Sequence, residues 1–247
     1  MGIFNKRQKN TFSLETNKKT LHENLDFAAT EQYKLLRTNL NFTLPELEDQ
    51  KCPIIGVTSS VRGEGKSTTS INLSYVLAEN GQKVLLIDGD LRIPSIARKM
   101  EIKSSPGLTD LLMGYEKLPL SVFKSIILDN WYILPSGKLP PNPSELLSSR
   151  RMETILTSLS EMFDYIIIDL PPVNIVSDAL TISKLITGML VVIRTDYTEK
   201  KELKNCFRQL KLSNVKVLGC VMNNERDGKG TYSKYKKYYK YFYYKDE

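Results

Sequence analysis

Apolar positions along the chain fall into two rhythms. Short unbroken runs at 54–57, 83–90, 131–134, 164–169, 189–193 and 215–222 have strand length and no polar alternation. Runs of that kind read as strands buried on both faces, the habit of a parallel sheet. Between them, apolar residues return at helical spacing over 70–79, 107–114, 143–163, 179–186 and 198–212. A further amphipathic stretch at 26–44 precedes the first strand, with Phe27, Tyr33, Leu36, Leu40 and Leu44 on one stripe and Leu35 beside it. Strands alternating with helices at this spacing predict an α/β fold, a mostly parallel sheet with helices on both faces.

Turn residues punctuate the pattern where such a fold requires it. Asn80-Gly81 and Gly114 follow helical stretches, as C-terminal caps do. Pro45 and the acids Glu46, Glu48 and Asp49 end the first helix, and the prolines of 140–143 set a rigid turn before a long helix over 143–163. Three units follow: a polar, basic segment 1–25 that reads as loose, a domain over 26–226, and a tail over 227–247.

The first strand runs into IIGVTSSVRGEGKSTT at 54–69. Strand, glycine loop, Gly-Lys-Ser and helix is the order of a phosphate cradle, whose backbone N–H groups face the anion. Gly63, Glu64, Gly65, Lys66, Ser67 and Thr68 are thus the candidate ATP-binding loop. Lys66 would reach the β- and γ-phosphates and Ser67 would hold Mg²⁺. Ser60 stands where the usual G-x4-G-K-[ST] pattern has its first glycine. The strand over 83–90 ends in Asp88-Gly89-Asp90 with Arg92 after it, and the strand over 164–169 ends in Asp169. Ligands of open parallel sheets sit at the carboxyl ends of strands, so all three acids belong near Lys66. Asp169 is the kind of acid that holds Mg²⁺ through its water shell.

Composition removes other chemistries. The 247 residues carry one histidine, His22, which argues against a His-ligated metal and a Ser/His/Asp hydrolase. The three cysteines, Cys52, Cys206 and Cys220, lack ligand spacing and read as small buried hydrophobes of a reducing compartment. No apolar run approaches the length of a membrane span. The net charge of +7 is concentrated toward the two ends. In the tail, seven of the 13 tyrosines cluster: Tyr232, Tyr235, Tyr238, Tyr239, Tyr241, Tyr243 and Tyr244. With almost nothing aliphatic to bury, this is a tail rather than a core element. An ATP site together with a run of tyrosines suggests phosphoryl transfer to tyrosine, and neither HRD nor DFG of the eukaryotic-type kinases is present.

Taken together, GEGKST at 63–68, LLIDGDLR at 85–92, PPNPSELL at 140–147, IIIDLPP at 166–172 and the tyrosine tail resemble the bacterial protein-tyrosine kinases of capsule and exopolysaccharide synthesis, Gram-positive type. The resemblance implies a P-loop NTPase-like kinase domain using ATP and Mg²⁺. It implies autophosphorylation in trans, with one subunit's tyrosines entering a neighbour's site in a ring-like homo-oligomer. It implies one of Asp88 and Asp90 as the base for the tyrosine hydroxyl, Asp88 being favoured with Asp90 nearby for metal or acceptor, and Ser67, Asp90 and Asp169 around the metal. Asn223, closing the last strand, is a candidate adenine contact. The family's E-x-x-R-x-x-R oligomerisation motif corresponds to Glu31, Lys34 and Arg37, where lysine replaces the first arginine and loses bidentate pairing. Arg62 stands where the family usually has proline, and Leu170 where it has threonine. A transmembrane polysaccharide co-polymerase as activator, a cognate tyrosine phosphatase and no nucleic acid are the implied partners. The implied location is the cytoplasm, at the inner face of the membrane. The rival is a partitioning or cell-division type (ParA/MinD-like) ATPase switch, whose loop carries a second lysine at the position of Val61.

Overall fold

The computed structural model describes residues 27–44, 52–116, 122–125 and 127–223. The loose N-terminal segment, the proline and acids expected to end the first helix, and all seven tail tyrosines lie outside the described residues.

The elements run α1 (Phe27–Thr43), β1 (Ile54–Ser59), α2 (Lys66–Glu79), β2 (Val84–Asp88), α3 (Ile96–Lys99), α4 (Leu108–Met113), β3 (Phe123–Lys124) and β4 (Trp131–Leu134). There follow α5 (Pro143–Leu147), α6 (Arg150–Ser160), β5 (Tyr165–Asp169), α7 (Asp178–Thr181), a 3₁₀ turn (Ile182–Leu185), β6 (Gly188–Arg194), α8 (Lys200–Leu212) and β7 (Val217–Asn223). One sheet holds the strands in the order β3-β4-β2-β5-β1-β6-β7. Every pairing is parallel except β3 with β4 at the edge.

Alternate residues of each central strand feed two apolar layers. Ile55, Val57, Leu86, Ile167, Leu190 and Val192 meet α1 and α2 on one face. Leu85, Ile87, Ile166, Ile168 and Val191 meet α4, α6 and α8 on the other. Each such fully buried aliphatic side chain contributes about 1.5–3 kcal/mol relative to exposure. Trp131 is completely buried on the first face. Its indole N–H donates to Ser74 Oγ at 3.1 Å, and its ring meets Tyr75 edge-on at 5.6 Å.

The caps lie where the sequence puts them: Gly81 and Gly114 both adopt left-handed backbone after their helices. The long helix expected over 143–163 is two helices. Ser148 donates its N–H to Ser144 and closes α5, while Ser149 turns extended (φ −73°, ψ 152°) and caps α6, its hydroxyl accepting the Met152 N–H. Capping serines at consecutive positions win over continuous helical periodicity. The helix expected over 179–186 tightens to 3₁₀ after Thr181. Two short elements, α3 and β3, escaped the periodicity because they have four and two residues.

Candidate active site

β1 ends at Ser59 and the chain loops to α2 through Gly63 (φ +82°) and Gly65 (φ +98°), conformations that side chains rarely adopt. Gly65 is also crowded: a Cβ there would lie 1.9 Å from Asn223 Nδ2. Ser60, in the first-glycine position, is not left-handed, so it tolerates a side chain. Its hydroxyl donates to Glu64 at 2.9 and 3.0 Å.

Glu64 is fully buried and braces the loop. Its carboxylate accepts from Ser60 Oγ, from the Val61 N–H at 2.7 Å and from the Thr198 hydroxyl. Asn223 Nδ2 donates to the Glu64 carbonyl at 2.8 Å. Tyr197 donates its hydroxyl to the Arg62 carbonyl (3.0 Å), and Arg194 Nη1 donates to the Gly63 carbonyl (3.2 Å). The ends of β6 and β7 thus hold the outer side of the loop. Of the residues expected to bind ATP, Glu64 directs its side chain inward and Asn223 spends its amide on the loop backbone.

On the other side the charges converge. Lys66 Nζ lies 2.9 Å from Asp90 Oδ2 and 3.5 Å from Asp169 Oδ2. Burial alone would lower the Lys66 ammonium, but Asp169 and Asp90 outweigh it and hold its pKa above the ordinary lysine value. Asp169 is fully buried and pairs in register with Asp88 across β2 and β5. Ser70 Oγ donates to Asp169 Oδ1 at 3.2 Å. Burial pushes the Asp169 carboxyl up, against the pull of Lys66. Asp88 Oδ2 accepts the N–H groups of Ser95 (3.1 Å) and Ile96 (2.9 Å). Burial, then the charge of Asp169, pushes Asp88 up to about 8. Among the described residues Asp88 Oδ1 is buried without a hydrogen-bond partner, and Asp169 Oδ2 has only the 3.5 Å ion-pair contact with Lys66. Buried acid oxygens left open beside a phosphate loop suit a hard cation that takes oxygen ligands and keeps part of its water.

Asp90 reaches the surface of a small cleft lined by Arg62, Arg92, Ile93 and Pro171. Arg92 is tied back: Nε donates to Asp178 Oδ2 (2.8 Å) and Nη2 to Asp178 Oδ1 (3.1 Å) and Ser144 Oγ (3.3 Å). Ser144 in turn donates to Asp178, so the 140–147 motif and α7 are locked to the end of β2. Leu170 is fully buried against Gly56 and Gly89, and serves packing.

Glu31 and Lys34 pair with each other on α1 at 3.0 Å, each side chain about one-third exposed (38%). Arg37 instead donates Nη1 to the Val76 carbonyl of α2 at 2.7 Å. The bracing residues Thr198 and Asp178, and Lys99 beside Thr68 (3.4 Å), were not singled out as site residues by the sequence reading. They sit outside any motif spacing; the signal that could have found Asp178 is its place just before the helical stretch 179–186.

Residues 52–218 match the AAA domain family. Tyrosine-protein kinase YwqD of Bacillus subtilis is 36% identical over 208 residues, 83% of this chain and 84% of that protein. Among solved structures, the chimerical protein CapA2B2 superposes with a TM-score of 0.79 at 30% identity, covering 89% of this chain and 94% of that one. The kinase domain of the Escherichia coli tyrosine kinase ETK gives 0.76 at 28% identity, covering 92% and 87%. Sequence identity, fold and a P-loop lysine facing three strand-end acids agree: the chain belongs to the bacterial tyrosine-protein kinase family, built on a nucleotide-binding P-loop domain.

Proposed function

We propose that this kinase transfers the γ-phosphoryl group of ATP to the tyrosine cluster Tyr232–Tyr244 of a neighbouring copy and thereby regulates capsular or exopolysaccharide synthesis. The observation that carries the reading is the convergence of Lys66, Asp90 and Asp169 within 3.5 Å at the start of α2. In this reading Lys66 exchanges Asp90 for the β- and γ-phosphates, and the loop N–H groups hold the phosphate oxygens. Ser67, Asp90 and Asp169 would hold Mg²⁺, which when bound supplies charge neutralisation on the transferring group. Asp88 takes the phenol proton as the oxygen–phosphorus bond forms and the bond to ADP breaks. Its Oδ1 has no hydrogen-bond partner among the described residues and so is open to accept that proton. Glu64 and Asn223 act by positioning the loop.

Among the described residues no helix is long and apolar enough to cross a membrane. Recruitment to the cytoplasmic face of the membrane by a transmembrane co-polymerase, which also activates the kinase, fits that reading. Glu31 and Lys34 are exposed enough to meet a neighbouring subunit of a ring, while Arg37 anchors α1 to α2. A cognate phosphatase would reset the tail.

The test is incubation with ATP and Mg²⁺, with and without membranes of the same cell, read by mass spectrometry of the tail peptide. Phosphate on Tyr232–Tyr244 that disappears in Lys66→Met is expected. Phosphate release from ATP with an unmodified tail in both conditions overturns the proposal.

A further inference from the structure

A second lysine borders the start of α2. Lys99, the last residue of α3, places Nζ 3.4 Å from the hydroxyl of Thr68. Thr68 follows Lys66 and Ser67 in the first turn of α2, where helical N–H groups have no partner inside the helix and face an anion. The ladder of this helix begins one residue later, with the Thr69 N–H on the Gly65 carbonyl.

Lys99 is not a loose surface side chain that happens to lie nearby. On either side of it in sequence, Ile96 and Met100 are fully buried in the layer beneath α2. The N–H groups of Ser95 and Ile96, at the start of α3, are both held by Asp88 Oδ2. The short helix carrying Lys99 is therefore bolted to the same acid that faces the reacting centre. Burial first, then the charge of Arg98, pull the Lys99 ammonium below the ordinary lysine value, with Asp169 opposing and Lys66 adding to the pull. A half-buried cation within the field of Asp169 and Lys66 gains more from an anionic ligand than a solvated one does.

The charge balance of the site calls for such a cation. Three acids, Asp88, Asp90 and Asp169, crowd the place where a polyphosphate must also sit. The loop itself offers Lys66, and Arg62 at the cleft beside Asp90, while Val61 occupies the position at which related ATPase loops carry a second lysine. Lys99 supplies that charge from outside the loop.

We propose that Lys99 is a second phosphate-binding residue of the nucleotide site, contacting the non-transferred phosphates of a nucleoside di- or triphosphate beside Thr68. The proposal rests on the reading of this site as a nucleotide site but is independent of the acceptor. It is tested by calorimetric titration of ADP with Mg²⁺ into the full chain, in wild type, Lys99→Met, Lys99→Arg and Lys103→Met. Lys103 is exposed four residues further on and controls for loss of one positive charge. Lys99→Met is expected to weaken ADP binding about 10-fold or more, Lys99→Arg by no more than about 3-fold, and Lys103→Met not at all. Melting without nucleotide checks folding, and Lys99→Gln, which keeps most of the stem, replaces the methionine variant if that one melts early. Wild-type ADP affinity in the neutral variant, or an equal loss in Lys103→Met, overturns the proposal. Absence of ADP binding by the wild type overturns the nucleotide site itself and this proposal with it, whereas ADP binding without tail phosphorylation overturns only the kinase chemistry.

Discussion

Asn223 fills the space that a side chain on Gly65 would need. Its amide nitrogen sits 2.8 Å from the Glu64 carbonyl, and a Cβ on Gly65 would meet it at 1.9 Å. The last strand of the sheet thereby sets the shape of a loop near the start of the domain. Gly65→Ala must both hold φ near +98° and displace Asn223. The expected cost is about 1–3 kcal/mol, a fall in melting temperature of roughly 2–4 °C per kcal/mol. ADP binding is lost, because the loop N–H groups no longer converge. Near-normal melting with intact ADP binding would show that the loop is not clamped in this way.

Asp88 and Asp169 sit side by side at the ends of β2 and β5, and ligand-free protein suffers from it. Asp88 moves from 3.8 in the unfolded chain up to about 8, through burial and then Asp169. Between those values the folded chain binds more protons than the unfolded one, so this group's contribution to stability is full at low pH and is lost as pH rises through about 8. Asp88→Asn removes the charge while its amide oxygen can still accept the Ser95 and Ile96 N–H groups. In EDTA, melting followed from pH 5 to 8 should show the variant more stable at pH 8 by about 0.5–2 kcal/mol, with a flatter pH profile. Tail phosphorylation should be abolished in the same variant. A variant less stable than wild type at pH 8 refutes the account.

Much of this arrangement is legible in the sequence. The buried runs before Gly63, Asp88 and Asp169 mark strands by their lack of alternation, and the strand-end rule then brings the three acids to Lys66 without further information. What the sequence hides is the direction of side chains. Glu64 sits inside the GEGKST loop and reads as a nucleotide contact, yet it turns inward because Ser60, Val61 and Thr198 offer it three donors. Thr198 is 134 residues away, and no local spacing announces that partnership. The break between α5 and α6 is hidden for the opposite reason: the apolar period continues across it while two serines end one helix and start the next.

Thiol chemistry offers an independent check on the packing. Cys52 and Cys206 are buried, and burial pushes both thiols up to about 12, whereas Cys220 is exposed on β7. At pH 8 in native conditions an aromatic disulfide reagent is expected to titrate Cys220 alone, with the other two reacting only in denaturant. The sign for stability follows: unfolded thiols ionise near 9 and the folded ones near 12, so the folded state holds extra protons in between. Stability therefore falls as pH rises from about 9 to about 12. Two or three thiols reacting promptly at pH 8 would contradict the burial of Cys52 or of Cys206 on the inward face of α8.

The tyrosine tail carries its own charge argument. From Gly228 onward the sequence has six lysines and two acids, a net of +4. Each phosphotyrosine brings about −1.5 to −2 at neutral pH, so two modifications bring the segment to about neutral and a third reverses its sign. The prediction is that an unmodified, net-positive tail is held more strongly than a modified one at the cleft where Asp90 reaches the surface of a neighbouring copy. Multi-angle light scattering should therefore find the phosphorylated protein in smaller assemblies than a variant with all seven tail tyrosines changed to phenylalanine, and raising the salt should narrow the difference. Equal assembly size in the two proteins at low salt would mean that tail charge does not govern association.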